Sequence, residues 1–138
     1  MAGEPVVVLV EDHRDTRDLY ADCLTYAGFD VHTAADAEDG FAMAIELRPH
    51  VVVTDFWLKG GPSGAQLCKW LKDDERTEHI RTLLVTASSQ RQDAEAALEH
   101  GCAVVRLKPY LPDAMERDIR LILANQSIPV WPSEHELP

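Results

Sequence analysis

Residues 6–12 read Val-Val-Val-Leu-Val-Glu-Asp, an apolar run of strand length that ends directly in two acids. A second apolar run, residues 51–55, ends in Asp55 in the same way. Two later runs end in residues that can bind phosphate, namely Thr86 and Lys108. Ligands of open parallel α/β sheets bind at the carboxyl ends of the strands. The sequence therefore predicts one site at which acids, a hydroxyl group and an ammonium group meet.

Strand and helix patterns alternate along the chain without an internal break. The first helix is expected to begin near Thr16, Asp36 is a candidate N-cap, and Pro112 is a candidate helix start. Single helices between strands imply right-handed crossovers and a parallel sheet covered on both faces. We expect an α/β domain over residues 1–125 and an irregular, proline-containing tail over residues 126–138. The predicted strands lie at about residues 6–10, 29–33, 50–54, 80–86 and 103–107.

The composition is that of an ordinary globular domain, with 46% hydrophobic and 27% charged residues in a chain of 138 residues. A formal net charge of −11 argues against direct binding of nucleic acid or of anionic membranes, since both need a basic surface. No apolar stretch is long enough to cross a bilayer, and the first residues lack the features of a secretion signal. Three widely spaced cysteines favour reduced thiols over a disulfide framework. These features predict a cytoplasmic protein.

Each polar residue at a strand end also has an ordinary structural explanation. Glu11 and Asp12 could be acids at a helix N-terminus, where the helix dipole favours them. Asp55 could be a turn residue, although the Phe, Trp and Leu that follow it are poor turn formers. Thr86 could simply end a strand, and Lys108 could be a solvated surface charge. If the strands share an edge, these explanations require four unrelated coincidences, so we favour a common site.

The polar residues at the strand ends form one ordered set: Glu11, Asp12, Asp55, Thr86, Lys108 and Pro109. In its order and intervals this set resembles the receiver domain of two-component response regulators, over residues 6–125. No single member of the set is specific, whereas the combination is. The resemblance implies a doubly wound, flavodoxin-like α/β fold with five parallel strands in the order 2-1-3-4-5.

The resemblance also implies a magnesium site. Asp12, Asp55 and the backbone carbonyl group of Trp57 are expected to bind Mg²⁺, while Glu11 acts mainly through metal-bound water. This expectation agrees with the chemistry of the residues, because Mg²⁺ is a hard ion that takes oxygen ligands.

The same resemblance assigns the phosphoryl chemistry. Asp55 is the expected phosphoacceptor, and the donor in this family is a phosphohistidine on a sensor histidine kinase or phosphotransfer protein. Lys108 supplies positive charge to one phosphoryl oxygen, and Thr86 donates a hydrogen bond to another. The peptide bond between Lys108 and Pro109 is expected to be cis, which aims the ammonium group into the site.

The fifth strand departs from the usual pattern of the family. Most receivers have Tyr or Phe three residues before the lysine, and here that residue is Val105. The aromatic ring normally follows the threonine hydroxyl when phosphate binds, so a switch through Thr86 and Val105 is in question. Arg106 is a hypothetical substitute for the ring.

The loop after Asp55 departs as well. Lys59 stands where proline is common, and a glycine-rich loop follows at residues 60–64. Trp57, two residues beyond the acceptor, is a bulky side chain where water access to the phosphorylated aspartate is controlled. We expect it to slow self-hydrolysis.

Three functions are compatible with these residues. The favoured one is a phospho-accepting signalling switch, not a turnover enzyme, that acts on a downstream protein target, with homodimer formation left open. The second is a receiver-like interaction module that works without phosphorylation, which only Val105 and the altered loop support. The third, an aspartyl-phosphate hydrolase of the haloacid dehalogenase type, needs a second acid where this chain has Trp57.

Overall fold

The computed structural model describes residues 3–88, 90–126 and 128–129, and strands alternate with helices throughout. The strands are β1 (Val6–Val10), β2 (Asp30–Ala34), β3 (Val51–Asp55), β4 (Arg81–Thr86) and β5 (Val104–Leu107). The helices are α1 (Arg14–Tyr26), α2 (Ala37–Leu47), α3 (Gly64–Asp73), α4 (Arg91–Glu99) and α5 (Pro112–Leu123). The predicted tail, residues 126–138, lies outside the described residues except for residues 126, 128 and 129.

All five strands form one parallel sheet in the order β2-β1-β3-β4-β5, which confirms the predicted flavodoxin-like fold. Glu11 and Lys108 follow directly after β1 and β5, at the carboxyl edge of this sheet. The register brings the other strand ends to the same edge: Val10 lies opposite Thr54, Asp55 opposite Val85, and Thr86 opposite Leu107.

The core lies on both faces of the sheet. On one face, strand residues pack against α1 and α5 around Phe29 and Met115. On the other face they pack against α2 and α3 around Leu67 and Leu71, and a third apolar cluster that contains Val105 lies under α4. Because helices cover both faces, the central strands are continuous apolar runs and not alternating ones.

Local capping sets the helix boundaries. Asp36 caps α2 as predicted, since its side chain accepts a hydrogen bond from the backbone N–H of Asp39 at 2.8 Å, and Pro112 begins α5 as predicted. Helix α1 begins slightly before the expected start near Thr16, because the side chain of His13 accepts a hydrogen bond from the Thr16 N–H at 3.3 Å. Histidine is not among the common N-cap residues, so the pattern gave no signal for it. Among the described residues, no helix is long and apolar enough to cross a membrane.

Gly64 brings α3 against the end of β3. The sequence pattern predicts a loop through Gly64, but this residue begins α3, because Ser63 caps the helix by accepting a hydrogen bond from the Gln66 N–H at 3.1 Å. The Gly64 N–H donates to the carbonyl oxygen of Phe56 at 2.8 Å. A Cβ atom at Gly64 would lie 2.1 Å from the carbonyl oxygen of Asp55. The absence of a side chain therefore permits the backbone path that follows Asp55.

Gly64→Ala is expected to lower the free energy of unfolding by about 2 kcal/mol or more, because the new methyl group overlaps backbone atoms and not a movable side chain. Urea denaturation followed by circular dichroism measures this change. Gly61→Ala is the matched control, since a Cβ atom at Gly61 meets nothing within 4 Å. The stability of the control should stay within about 0.5 kcal/mol of wild type. Equal stability of the two variants would contradict the close packing at Gly64.

Candidate functional site

Three carboxyl groups meet at the carboxyl edge of the sheet. Glu11 and Asp12 follow β1 and Asp55 ends β3, and one oxygen atom of each residue lies within 4.8 Å of the others. The Glu11 residue is only 4% exposed, and the Asp55 side chain is 12% exposed. The structure thus brings together the three acids that the strand ends suggested, in a largely buried cluster.

The ammonium group of Lys108 lies in this acid cluster. Its Nζ atom is 3.0 Å from Oδ1 of Asp55 and 4.0 Å from Oε1 of Glu11. The backbone N–H of Lys108 donates to the carbonyl oxygen of Thr86 at 2.8 Å, which continues the pairing of β5 with β4 beyond the strand end. The peptide bond between Lys108 and Pro109 is cis, the isomer expected for it.

The loop after β3 contributes a backbone group that the sequence did not indicate. The N–H of Lys59 donates to Oδ2 of Asp12 at 2.8 Å. Arg17 of α1 also reaches this side of the site, where its Nη1 donates to the carbonyl oxygen of Glu11 at 3.0 Å. Both contacts fix the segment that carries the first two acids.

Burial and mutual repulsion shift the pKa values in the cluster. Burial, and then the charge of Asp55, raises the pKa of Glu11, and Lys108 only partly opposes this shift. Burial also raises the pKa of Asp55 against the hydrogen bond from Lys108. For Asp12, burial is outweighed by the Lys59 N–H and by further hydrogen bonds, so its pKa is lowered. For Lys108, burial is outweighed by the bond to Asp55, so its pKa is raised.

The donor set fits a hard divalent cation. Three carboxyl groups offer only oxygen ligands, and one ammonium group beside them does not balance three negative charges. Mg²⁺ and Ca²⁺ both prefer such ligands. Burial is the main cause of the raised pKa values of Glu11 and Asp55, and a bound cation would offset the repulsion that adds to it. Glu11, Asp12 and Asp55 are thus the residues that could hold a metal ion.

Thr86 lies at the end of β4 and is 2% exposed. Its hydroxyl oxygen accepts a hydrogen bond from the backbone N–H of Ser88 at 3.1 Å. The hydroxyl of Ser88 in turn donates to Asp93 of α4 at 2.5 Å. Because a hydroxyl group can accept and donate at once, Thr86 keeps its own proton for another acceptor.

Trp57 lies in the loop between β3 and α3, two residues beyond Asp55. Its side chain forms an edge-to-face pair with Phe56 at 5.2 Å between ring centroids, and the residue is 69% exposed. The N–H of Phe56 donates to the carbonyl oxygen of Val85 at 2.8 Å. This bond to β4 fixes the backbone at Phe56, the residue directly before Trp57. The carbonyl group of Trp57 as a metal ligand stays a prediction.

Val105 and Arg106 have different surroundings. Val105 is fully buried in the apolar cluster under α4. Arg106 directs its guanidinium group to α5, where Nε donates to Oδ2 of Asp118 at 2.9 Å. Arg106 therefore does not take the place of the aromatic ring that Val105 lacks, and the hypothesis of such a substitution has no support from its position. The switch role of Thr86 and Val105 stays a prediction.

Residues 7–120 match the family of the response regulator receiver domain. The chain therefore belongs to the receiver domain family of two-component response regulators, as the sequence resemblance indicated. Members of this family are signalling switches, and the match sets aside the haloacid dehalogenase alternative.

Two relatives and one solved structure illustrate what this chain is similar to. The chain is 31% identical over 103 residues to the polar-differentiation response regulator DivK of Brucella anthropi. This matched region covers 75% of this chain and 83% of DivK. The chain is 32% identical over 119 residues to the DNA-binding dual master transcriptional regulator RpaA of Synechocystis. This matched region covers 86% of this chain but 49% of RpaA. The chain thus spans about half the length of RpaA. The structure of the chemotaxis response regulator CheY4 of Vibrio cholerae aligns with a TM-score of 0.80 and 21% identity, over 86% of this chain and 98% of CheY4.

Proline is common at this position in the family, but in this chain the N–H of Lys59 holds the Asp12 carboxylate at 2.8 Å. Lys59→Pro is therefore expected to weaken the binding of Mg²⁺ by about threefold to tenfold, because proline has no N–H to replace this contact. Isothermal titration calorimetry with Mg²⁺ measures the affinity. Lys59→Ala is the matched control, since it removes the amine and keeps the backbone N–H, and its affinity should equal that of wild type. Equal affinity in the proline variant would show that the contact from Lys59 does not organise the site.

Proposed function

We propose that this chain accepts a phosphoryl group on Asp55 in a Mg²⁺-dependent reaction, and that phosphorylation changes its contacts with other proteins. One observation carries the proposal: Oδ1 of Asp55 lies 3.0 Å from Nζ of Lys108, inside a cluster of acids that could hold a cation. Membership of the receiver family supports the class of reaction.

Asp55 is the proposed nucleophile. One of its oxygen atoms attacks phosphorus while the bond from phosphorus to the donor breaks, so an aspartyl phosphate forms and the donor keeps the electron pair of the broken bond. A carboxylate is a weak nucleophile and repels the phosphoryl oxygens. Mg²⁺ would supply the positive charge that offsets this repulsion. Asp12, Asp55 and the backbone carbonyl of Trp57 would hold the ion, with Glu11 acting through water.

Lys108 and Thr86 complete the proposed site. The ammonium group of Lys108 already lies beside the attacking carboxylate, so it can bind a phosphoryl oxygen with a small movement. The hydroxyl group of Thr86 has a proton to donate to a second oxygen. Positioning and charge stabilisation account for most of the catalysis that phosphoryl transfer needs.

The proposed phosphoryl donor is a sensor histidine kinase or a phosphotransfer protein in the cytoplasm, and the proposed target is a downstream protein. The net charge of −11 argues against DNA binding by this chain itself. RpaA, which is named as a DNA-binding regulator, is about twice as long as the matched region. Pairing of two copies through α4, β5 and α5 is a further contact that phosphorylation could control.

A second candidate function is favoured by Val105. This residue is fully buried and carries no ring that could move with Thr86, so the usual route from the site to the α4–β5–α5 surface is missing. The alternative is a protein-interaction module with the receiver shape that works without phosphorylation.

Incubation with acetyl phosphate and Mg²⁺, followed by intact mass spectrometry, separates the two functions. We expect wild type to gain one phosphoryl group, and we expect Asp55→Ala to gain none because the nucleophile is missing. Asp22→Asn, which changes an exposed acid of α1, is the control and should react like wild type. The absence of an adduct on wild type would favour the phosphate-independent module, and an adduct on Asp55→Ala would place the acceptor elsewhere.

A further inference from the structure

A buried polar network ties the segment after Lys108 to α5 and to α1. Asp118 of α5 is 4% exposed, and its Oδ2 accepts hydrogen bonds from Nε of Arg106 at 2.9 Å and from the hydroxyl of Tyr110 at 2.5 Å. From the other side, the hydroxyl of Tyr20 in α1 donates to the backbone carbonyl oxygen of Tyr110. The segment that carries Lys108 is thus held by two helices.

This network lies on a face of α5 that is otherwise apolar. Met115, Ile119 and Ile122, which surround Asp118 along the helix, are all buried in the core. Apolar side chains of similar volume often stabilise such a face as well as a buried ion pair does. Stability alone therefore does not account for a buried carboxylate, and the feature that the network specifies is the position of Tyr110.

The position of Tyr110 affects the position of Lys108, because the two residues lie in the same short segment of backbone. The Lys108 N–H is bonded to the carbonyl oxygen of Thr86, so the backbone is held by β4 before this residue and by Tyr110 after it. A cavity of about 290 Å³ borders the segment and is lined in part by Lys108, Tyr110 and Asp118. The segment therefore has room to shift if the contacts of Tyr110 are lost.

Tyr110 acts as a hydrogen-bond donor in this network. Burial, and then the hydrogen bond to the Asp118 carboxylate, raises the pKa of Tyr110, so its hydroxyl stays a donor. The exposed Arg117 lies 3.9 Å from the other oxygen of Asp118 and adds a weaker contact.

We propose that Asp118 is a positioning residue for the phosphoryl-transfer site. Asp118 holds Tyr110 in place, and Tyr110 in turn keeps the ammonium group of Lys108 beside Asp55. The kinetic test of this role rests on the proposed function. A second test, on the position of Lys108 itself, does not.

The kinetic test compares Asp118→Asn with wild type. We expect the rate of phosphorylation by acetyl phosphate to fall about tenfold, since small displacements of a positioned group have large effects on rate. We expect the Mg²⁺ affinity, measured by isothermal titration calorimetry, to stay within about twofold, because the contacts of Asp118 are with Arg106, Tyr110 and Arg117 and not with the acids of the cluster. Glu116→Gln is the matched control, since Glu116 pairs with Arg120 on the outside of α5. Equal rates, or parallel losses of rate and Mg²⁺ affinity, would overturn the proposal.

A double-mutant cycle distinguishes positioning from general damage. If Asp118 acts through Lys108, Asp118→Asn should have no further effect on the adduct yield of Lys108→Ala over a long incubation. The same fractional loss in both backgrounds would overturn the proposal. Tyr110→Phe is the second variant, because it removes only the hydroxyl; it should reproduce the loss of rate even if Asp118→Asn does not fold.

The position of Lys108 can be followed without phosphorylation. In protein labelled with ¹³C-lysine, the Cε resonance that disappears in Lys108→Ala identifies this residue. We expect Tyr110→Phe and Asp118→Asn to shift or broaden that resonance, and Glu116→Gln to leave it unchanged. An unchanged resonance in the first two variants would overturn the proposal. If wild type accepts no phosphate but the resonance shifts, the proposed function fails while the positioning role holds.

Discussion

The ion pair between Lys108 and Asp55 is the interaction on which the site depends. Three carboxyl groups gather at one edge of the sheet, and burial together with their mutual repulsion raises the pKa of Glu11 and of Asp55. The ammonium group of Lys108, 3.0 Å from Asp55, offsets part of this cost. The arrangement follows from the register of the parallel strands, because a slip of one residue would turn each side chain to the other face.

The sequence was sufficient to predict the sheet and the acids because both depend on where apolar runs end. Each predicted strand ends within one residue of the observed end. This precision is sufficient to predict that Asp55, Thr86 and Lys108 lie at the same edge of the sheet. The contact between Lys59 and Asp12 was not predictable in this way. It uses a backbone N–H, which every residue except proline has, and its direction depends on the path of the loop.

The Arg106–Asp118 pair, in contrast, has a recognisable signal in the sequence. Arg106 interrupts an apolar strand, and Asp118 lies beside Ile119 on a helix whose inner face is apolar. Two opposite charges at such positions indicate a buried pair, since an isolated buried charge is costly. The pattern could not show that Tyr110 joins them, because its hydroxyl reaches Asp118 only after the backbone turns between β5 and α5.

Two adjacent residues of β5, Val105 and Arg106, have opposite surroundings. Val105 lies opposite Leu84 and is enclosed by small side chains of α4, so it offers no polar group and no ring that could respond to Thr86. Arg106 lies opposite Val85 and binds Asp118, which also binds the residue that follows the Lys-Pro pair. The contacts of Arg106 and Tyr110 with Asp118 connect the segment around Lys108 to α5. Thr86 is connected to α4 through Ser88 and Asp93, so both helices have polar contacts that begin at the carboxyl edge of the sheet.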